Sequence, residues 1–559
     1  MMMKLSTKKI LAITSLCSFS FVCGAFITPK LESSPITIAM VNEAKKIIGI
    51  DFSMAQSDSM LNGLNDHLKA YEELRKLHLK NDVVPALNFN PVPVGFVYPD
   101  KTNGFLLDKR SITTLPADRN ELAFYTIRQL ADLIRTKKTT SVELTKFFLE
   151  RLKKYDPKLL FVVNYTEELA LKQAAQADAE IKAGHYKGVL HGIPFGVKDL
   201  LAVKGYKTTW GSVPYKNQEL DVDATVVKKL EAAGAVLVAK LTLGELANGD
   251  VWFGGRTNNP WDIKRGSSGS SAGPASAVAA GCLPFAIGSE TLGSIVSPST
   301  ECGDTGLRPS FGRVSKTGAM ALSWTMDKLG PITRSVEDCA IVFNAIQGTD
   351  PQDLSTIAAP FKYDGNQKTL KGWKIGYVKA DFDRSRFNKS SDSSTLVKLK
   401  ELGAELVPVE YPKLPFGSLR FILETEAGAA FQELVLNHKD DMMVRQGKGG
   451  WPNIFRTAQF VPAVEYIQAN RVRTMVIQDW YEKLKGLDMY ITPSFSGNLV
   501  LTNLTGNPCV VLPNGFNKQG RPLSITFMGQ LFGEGKILEA AKIYQDATDF
   551  NKKHPALNF

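Results

Sequence analysis

The stretch that most limits the fold is residues 223–241, DATVVKKLEAAGAVLVAKL. It reads as a helix, a glycine stop at Gly234 and then a strand with almost no polar positions. A strand that is apolar on both sides must be covered on both faces, as in parallel and mixed sheets. The same alternation begins near Leu122. LAFYTIRQLADLIRTKK and SVELTKFFLERLKKYD have helical spacing, and Thr140 with Glu143 forms a capping-box pattern at the start of the second. LFVVNY is a short β-branched run, and TEELALKQAAQADAEIKAG is a long helix ending at Gly184. The expectation is an α/β fold over residues 121–559: one large domain with a central mixed β-sheet and helices on both faces.

The chain's 559 residues, 44% of them hydrophobic, suffice for a large core. No fixed-period repeat and no low-complexity linker divides the α/β region, so one domain is expected rather than several. Ahead of it, residues 1–25 have the form of a signal peptide. MMMKLSTKK is basic, ILAITSLCSFSFV is an apolar run of signal length, and small residues at Cys23 and Ala25 suit cleavage after Ala25. An uncleaved membrane anchor is the alternative. The chain is therefore expected to be exported, periplasmic or secreted, in a bacterial setting. Residues 26–120 form an N-terminal extension. NEAKKIIGI and LNGLNDHLKAYEELRKLHL have helical spacing, and the proline-rich stretch that follows is an extended connector.

The net charge of +11 is spread along the chain without an arginine-rich run or interleaved aromatics, so a nucleic-acid partner has no support. Cys17 and Cys23 lie in the signal. Cys282, Cys302, Cys339 and Cys509 are scattered among apolar neighbours and read as core residues rather than a disulfide framework. The six histidines are isolated and no metal-binding spacing occurs. No metal and no cofactor is expected. The oligomeric state is not encoded in any pattern found.

Three stretches place polar groups in tight apolar or glycine-rich settings. In HGIPFGVKDLLAV, Lys198 is either a surface lysine whose stem lies on apolar residues or a buried amine, and the pattern alone favours the surface. If buried, its pKa falls from the usual value of about 10.4 and it can serve as a neutral base. In RGSSGSSAGP, four serines among glycines run into an Ala-rich helix, a geometry that presents N–H groups. Gly269–Gly273 also matches G-x-S-x-G, the nucleophile elbow of serine hydrolases, with Ser271 at its centre. In GSETLGSIVSPS, Ser294 follows Gly293 on a turn whose successive N–H groups can form an anion nest.

The order of G-V-K-D, the Ser/Gly loop before A-x-A-V-A-A-G, then G-S-I-x-x-P and TGLRPSFGRVS resembles the amidase signature family. NNPWD before the loop and TNLTGNPCVVLPNG near the C-terminus extend the resemblance over residues 122–548. It implies a Ser-cisSer-Lys amidase acting on a small-molecule amide without metal or cofactor. By motif, Lys198 is the base and Ser294 the nucleophile. Two Ser-Ser pairs compete for the bridging role. Counting back from Ser294 through Gly281 without gaps selects Ser270, which in family members follows a cis peptide. The family's oxyanion hole maps onto the N–H groups of Thr291, Leu292, Gly293 and Ser294.

Several positions depart from the family's commonest pattern. Glu290 stands for a shorter acid, Leu292 for a glycine, Val296 for a frequent arginine, and Ala272 and Pro274 for Gly and Ser. Leu292 requires the oxyanion turn to accept a side chain, and these changes bear on the substrate more than on the reaction. Three rival readings remain: an α/β-hydrolase-type esterase using Ser271, the glutaminase component of a tRNA-dependent amidotransferase, and a non-catalytic binding protein on an amidase scaffold. An export signal speaks against the second.

Overall fold

A computed structural model of the chain describes residues 35–109, 113–385 and 388–559. The expected signal peptide lies outside these residues. The chain divides into two compact units, the sequence boundary falling between Leu79 and Lys80.

The first unit contains helices α1 (Ile38–Ile48) and α2 (Met54–Arg75). Thr37 caps α1 by accepting from the Met40 N–H, and Gly49, at φ +69°, ends it in the left-handed conformation. Ser53 and Gln56 close a reciprocal capping box on α2. The helical spacing read from the extension is thus realised in both helices. No helix among the described residues is long and apolar enough to cross a membrane.

The second unit is built on an eleven-stranded mixed sheet. Its strands are β1 (Val162–Tyr165), β2 (Pro194–Lys198), β3 (Val236–Leu241), β4 (Phe285–Glu290), β5 (Thr305–Arg308), β6 (Lys328–Thr333), β7 (Lys374–Tyr377), β8 (Glu405–Pro408), β9 (Met489–Pro493), β10 (Cys509–Phe516) and β11 (Pro522–Met528). Their order across the sheet is β8-β7-β9-β11-β10-β5-β6-β4-β2-β3-β1. β2 pairs in parallel with both β3 and β4, whereas β4, β6, β5, β10, β11 and β9 pair antiparallel in succession. Every residue of β2, β3, β4, β6 and β9 is buried, so both faces of the sheet's middle are covered.

Thr140 and Glu143 form the expected capping box on helix α4 (Ser141–Leu159). The single helix read over LAFYTIRQLADLIRTKK is instead a 3-10 turn, Arg119–Phe124, followed by α3 (Ile127–Arg135). Thr126 explains the break: its side chain caps the Gln129 N–H and restarts the helix. Residues from Lys80 onward belong to this second unit. Asn81 exchanges two hydrogen bonds with the Ala321 backbone, both 2.8 Å, and Phe96 and Tyr98 pack on Phe532. Gly104–Leu106 pairs in parallel with Lys362–Asp364. The connector thereby runs across the α/β body.

Candidate active site

The site forms where the chain changes direction across the sheet. From β2 the chain proceeds to β3 on one side, and β4 lies on the other, so the C-terminal end of β2 is a topological switch point, where open α/β sheets bind ligands. Lys198 is the last residue of β2. Val197 stands beside Ile287 in the parallel β2–β4 register, which brings Lys198 level with the end of β4. Helix α5 (Ala272–Ala279), which precedes β4, starts directly after Ser270 and Ser271. Helix α6 (Val296–Cys302) begins just beyond the turn that follows β4. Two backbone contacts make glycine necessary in the loop. A Cβ at Gly269 would lie 1.9 Å from the Gly249 carbonyl oxygen, and one at Gly273 would lie 2.5 Å from the Thr242 nitrogen. The Gly269–Ser270 peptide is cis.

Lys198 is fully buried, contrary to the surface position its local pattern favoured. The pattern misled because PFGVK is a central strand covered on both faces, leaving the side chain no route to solvent. Its Nζ lies 2.8 Å from Ser270 Oγ, 3.2 Å from Ser271 Oγ and 2.8 Å from Ser289 Oγ. Desolvation drives its pKa well below the usual lysine value, outweighing the opposing charges of Asp327 and Glu290. The neighbouring Asp199 is a structural group. It forms a buried ion pair with Lys240 at 2.8 Å and accepts from the N–H and hydroxyl of Thr209.

The turn between β4 and α6 is tied down by Glu290. One carboxylate oxygen accepts from the N–H groups of Ile295 (2.9 Å) and Val296 (3.0 Å). The other accepts from Arg308 Nη1 (2.7 Å) and Asn503 Nδ2 (2.8 Å). Burial by itself would raise the Glu290 pKa, but the Arg308 charge and these donors hold it at about 2. Thr291 donates to Asp327 at 2.5 Å, and Asp327 accepts from the N–H groups of Leu322 and Ser323. The left-handed residue of the turn is Gly293, at φ +87°, so Leu292 keeps an ordinary backbone and packs its side chain on the core. That is how the turn accommodates a side chain at position 292. Among the described residues, the N–H groups of Thr291, Leu292, Gly293 and Ser294 donate to no protein acceptor.

The structure brings Lys198, Ser270 and the 291–294 turn into one site. The Ser271 N–H donates to the Ser294 carbonyl at 3.1 Å, which sets the loop against the turn. Among the described residues, no hydrogen bond joins the hydroxyls of Ser270 and Ser294. Ser267 and Ser268 are engaged elsewhere: Ser267 Oγ with the Ser268 carbonyl (3.0 Å) and Ser268 Oγ with Ser297 Oγ (2.7 Å).

The elbow-like match at Ser271 has no elbow geometry. Ser271 is completely buried, its hydroxyl donates to the Ser289 carbonyl (3.0 Å), and it accepts from the Ser289 N–H (3.1 Å). Among the described residues, the strand just before the loop, Asp262–Gly266, pairs only with Asn258–Asn259, outside the central sheet. Sequence reasoning missed Ser289, the buttressing by Glu290 and the Asp199–Lys240 pair. Ser289 had a visible signal, a lone hydroxyl at the end of the apolar run FAIG. Cys282, Cys302, Cys339 and Cys509 are buried free thiols.

A family model described as Amidase matches residues 143–500. A glutamyl-tRNA(Gln) amidotransferase subunit from Acinetobacter baumannii is 33% identical over 481 residues, spanning 77% of this chain and 97% of that protein. The native peptide amidase from Stenotrophomonas maltophilia superposes with a TM-score of 0.68 at 28% identity, covering 78% of this chain and 99% of its own. A bacterial aryl acylamidase, at 20% identity and a TM-score of 0.69, shares the fold over 77% of this chain and 98% of its own.

Proposed function

The chain belongs to the amidase family, and from that premise we propose that it hydrolyses a carboxylic amide to carboxylate and ammonia or amine through a serine acyl-enzyme. In this reading Ser294 is the nucleophile, Ser270 the relay and Lys198 the base. The N–H groups of Thr291, Leu292, Gly293 and Ser294 receive the oxyanion. The observation that carries the reading is a fully buried lysine whose amine, among the described residues, hydrogen-bonds only hydroxyls and lies 2.8 Å from Ser270 Oγ.

The chemistry follows from the burial. A neutral Lys198 takes a proton through Ser270 from Ser294, whose hydroxyl is otherwise a weak nucleophile. The Ser294 Oγ–C bond forms, and the carbonyl oxygen gains charge among the four N–H groups. Each such donor is worth about 3–4 kcal/mol to the transition state. The proton held on Lys198 then passes by way of Ser270 to the leaving nitrogen as the C–N bond breaks. Water adds to the acyl carbon by the reverse relay and returns a proton to Ser294. These steps use only the chain's own residues and water, a Ser-Lys variant of triad chemistry.

Labelling by an alkyl fluorophosphonate, together with an amide panel, tests the reading. Ser294→Ala is expected to abolish both labelling and hydrolysis. Lys198→Ala is expected to slow both by orders of magnitude and Ser270→Ala by less, on the scale of about 10²–10⁴ for a lost general base. A Ser294→Ala variant that still turns over would overturn the assignment.

A second reading is the glutaminase half of an amidotransferase, favoured by the 33% identity to the glutamyl-tRNA(Gln) amidotransferase protein. Hydrolysis of free glutamine without activity on other amides, with partner subunits co-purifying, would select it. We further propose that the enzyme acts outside the cytoplasm, on the strength of the N-terminal sequence pattern. Fractionation of the expressing cell that leaves all of it in the cytoplasm would refute this.

A further inference from the structure

We propose that Ser271 and Ser289 are positioning residues that hold the Lys198 amine with its lone pair facing Ser270. The inference rests on the catalytic reading above and concerns how the base is aimed. A neutral amine has two N–H donors and one lone pair. Lys198 Nζ has three hydroxyl neighbours, Ser270, Ser271 and Ser289. Two of them must therefore accept and one must donate. The base works only if the donor is Ser270.

The inventory of hydrogens at Ser271 is closed. Its oxygen accepts from the Ser289 N–H, and its single hydrogen is committed to the Ser289 carbonyl, which has none to give. Toward Nζ, Ser271 can only accept, and this uses one amine N–H. Ser270 and Ser289 are left to take one role each; Ser289 Oγ is bonded to Nζ and to no other described group, and in the proposed arrangement it takes the second N–H. The lone pair is left for Ser270. After proton uptake the ammonium has three N–H groups and the same three oxygens accept them, so Ser270 alone changes from donor to acceptor. Both protonation states are satisfied without heavy-atom movement, which is electrostatic preorganisation in its simplest form.

The charged groups around the amine are otherwise engaged. Glu290 is held by Arg308, Asn503 and two N–H groups, and Asp327 by Thr291 and two more. Asp199 is ion-paired with Lys240. None of them hydrogen-bonds Nζ, so its proton affinity responds directly to its hydroxyl partners.

The test is the second-order rate of labelling by an alkyl fluorophosphonate across pH, in wild type, Ser289→Ala, Ser289→Thr and Ser294→Ala. In that reaction the Ser294 Oγ–P bond forms, fluoride leaves and the proton passes through Ser270 to Lys198. Without Ser289, the second N–H turns to Ser270 and the lone pair is misdirected. Ser289→Ala is expected to lose at least about tenfold in plateau rate. Its acid limb is expected to move down by about one pH unit or more, because the ammonium loses a charge-assisted hydrogen bond. Ser289→Thr, which keeps the hydroxyl, is expected to retain both rate and limb.

A Ser289→Ala plateau equal to wild type overturns the proposal, and so does a slower plateau with an unmoved limb, the signature of simple destabilisation. If Ser289→Ala does not fold, Ser289→Cys keeps the volume with a weak acceptor and decides the same question. Labelling that persists in Ser294→Ala refutes the catalytic reading itself, whereas an inert Ser294→Ala beside a wild-type-like Ser289→Ala refutes only the positioning role.

Discussion

Replacing Glu290 by glutamine separates the two tasks of this carboxylate. In the folded chain it balances the buried Arg308 and anchors the N–H groups of Ile295 and Val296. Moving a carboxyl from its ordinary 4.5 to about 2 corresponds to about 3 kcal/mol of stability at neutral pH. An independent comparison, the loss of about 3–5 kcal/mol when one partner of a buried ion pair is removed, gives the same scale. Because the folded pKa lies below the unfolded one, the contribution is complete above about 4.5 and fades as pH falls toward about 2. Denaturant unfolding followed by circular dichroism should thus show Glu290→Gln less stable by about 3 kcal/mol at pH 7. The gap should narrow by about 1.4 kcal/mol per pH unit below about 4.5. Activity should fall as well, on the order of 10²-fold, because the glutamine amide cannot accept at all four positions and the oxyanion turn loosens. A Glu290→Gln protein as stable as wild type at pH 7, or one equally destabilised at pH 7 and pH 3, would refute the reasoning.

Three other variants test separate parts of the site and its support. Gly269→Ala should abolish activity or folding, since its Cβ would lie 1.9 Å from the Gly249 carbonyl oxygen; near-normal turnover would contradict that crowding. Lys240→Met should cost about 3–5 kcal/mol by stranding the buried Asp199, with thermal unfolding as the measure and an unchanged midpoint as the contrary result. Asp304 is fully buried with neither carboxylate oxygen hydrogen-bonded among the described residues, and desolvation raises its pKa well above the usual value. The folded state therefore keeps a proton that the unfolded state releases, and stability falls as pH rises above about 4. Asp304→Asn should gain on wild type as pH rises above about 4, and a pH-independent difference would count against it. Activity itself should rise toward alkaline pH as Lys198 loses its proton, and a maximum near pH 5 would be incompatible with a neutral lysine base.

Much of this protein follows from local sequence. The α/β class came from strands apolar on both sides alternating with helices, because a strand's covering is written in its own side chains. The capping box at Thr140 and Glu143 and the stop at Gly184 are local too, since they depend on neighbours within one turn of helix. Lys198, Ser270 and Ser294 were legible only through the order of several motifs along the chain. Their local surroundings left each one ambiguous.

Tertiary structure decided what no local pattern contains. Lys198 is buried because β3 and β4 flank its strand, and those neighbours lie about 40 and 90 residues away in sequence. Ser271 looked like the centre of a nucleophile elbow, yet both its hydrogen-bonding roles are taken by Ser289 on β4. Glu290 reads as one acid beside a turn, and it holds that turn by way of Arg308 on β5 and Asn503 near the C-terminus. A sequence fixes which groups can donate, accept or ionise. Which of them are taken out of water and which partners they meet depends on chain segments that only folding brings together.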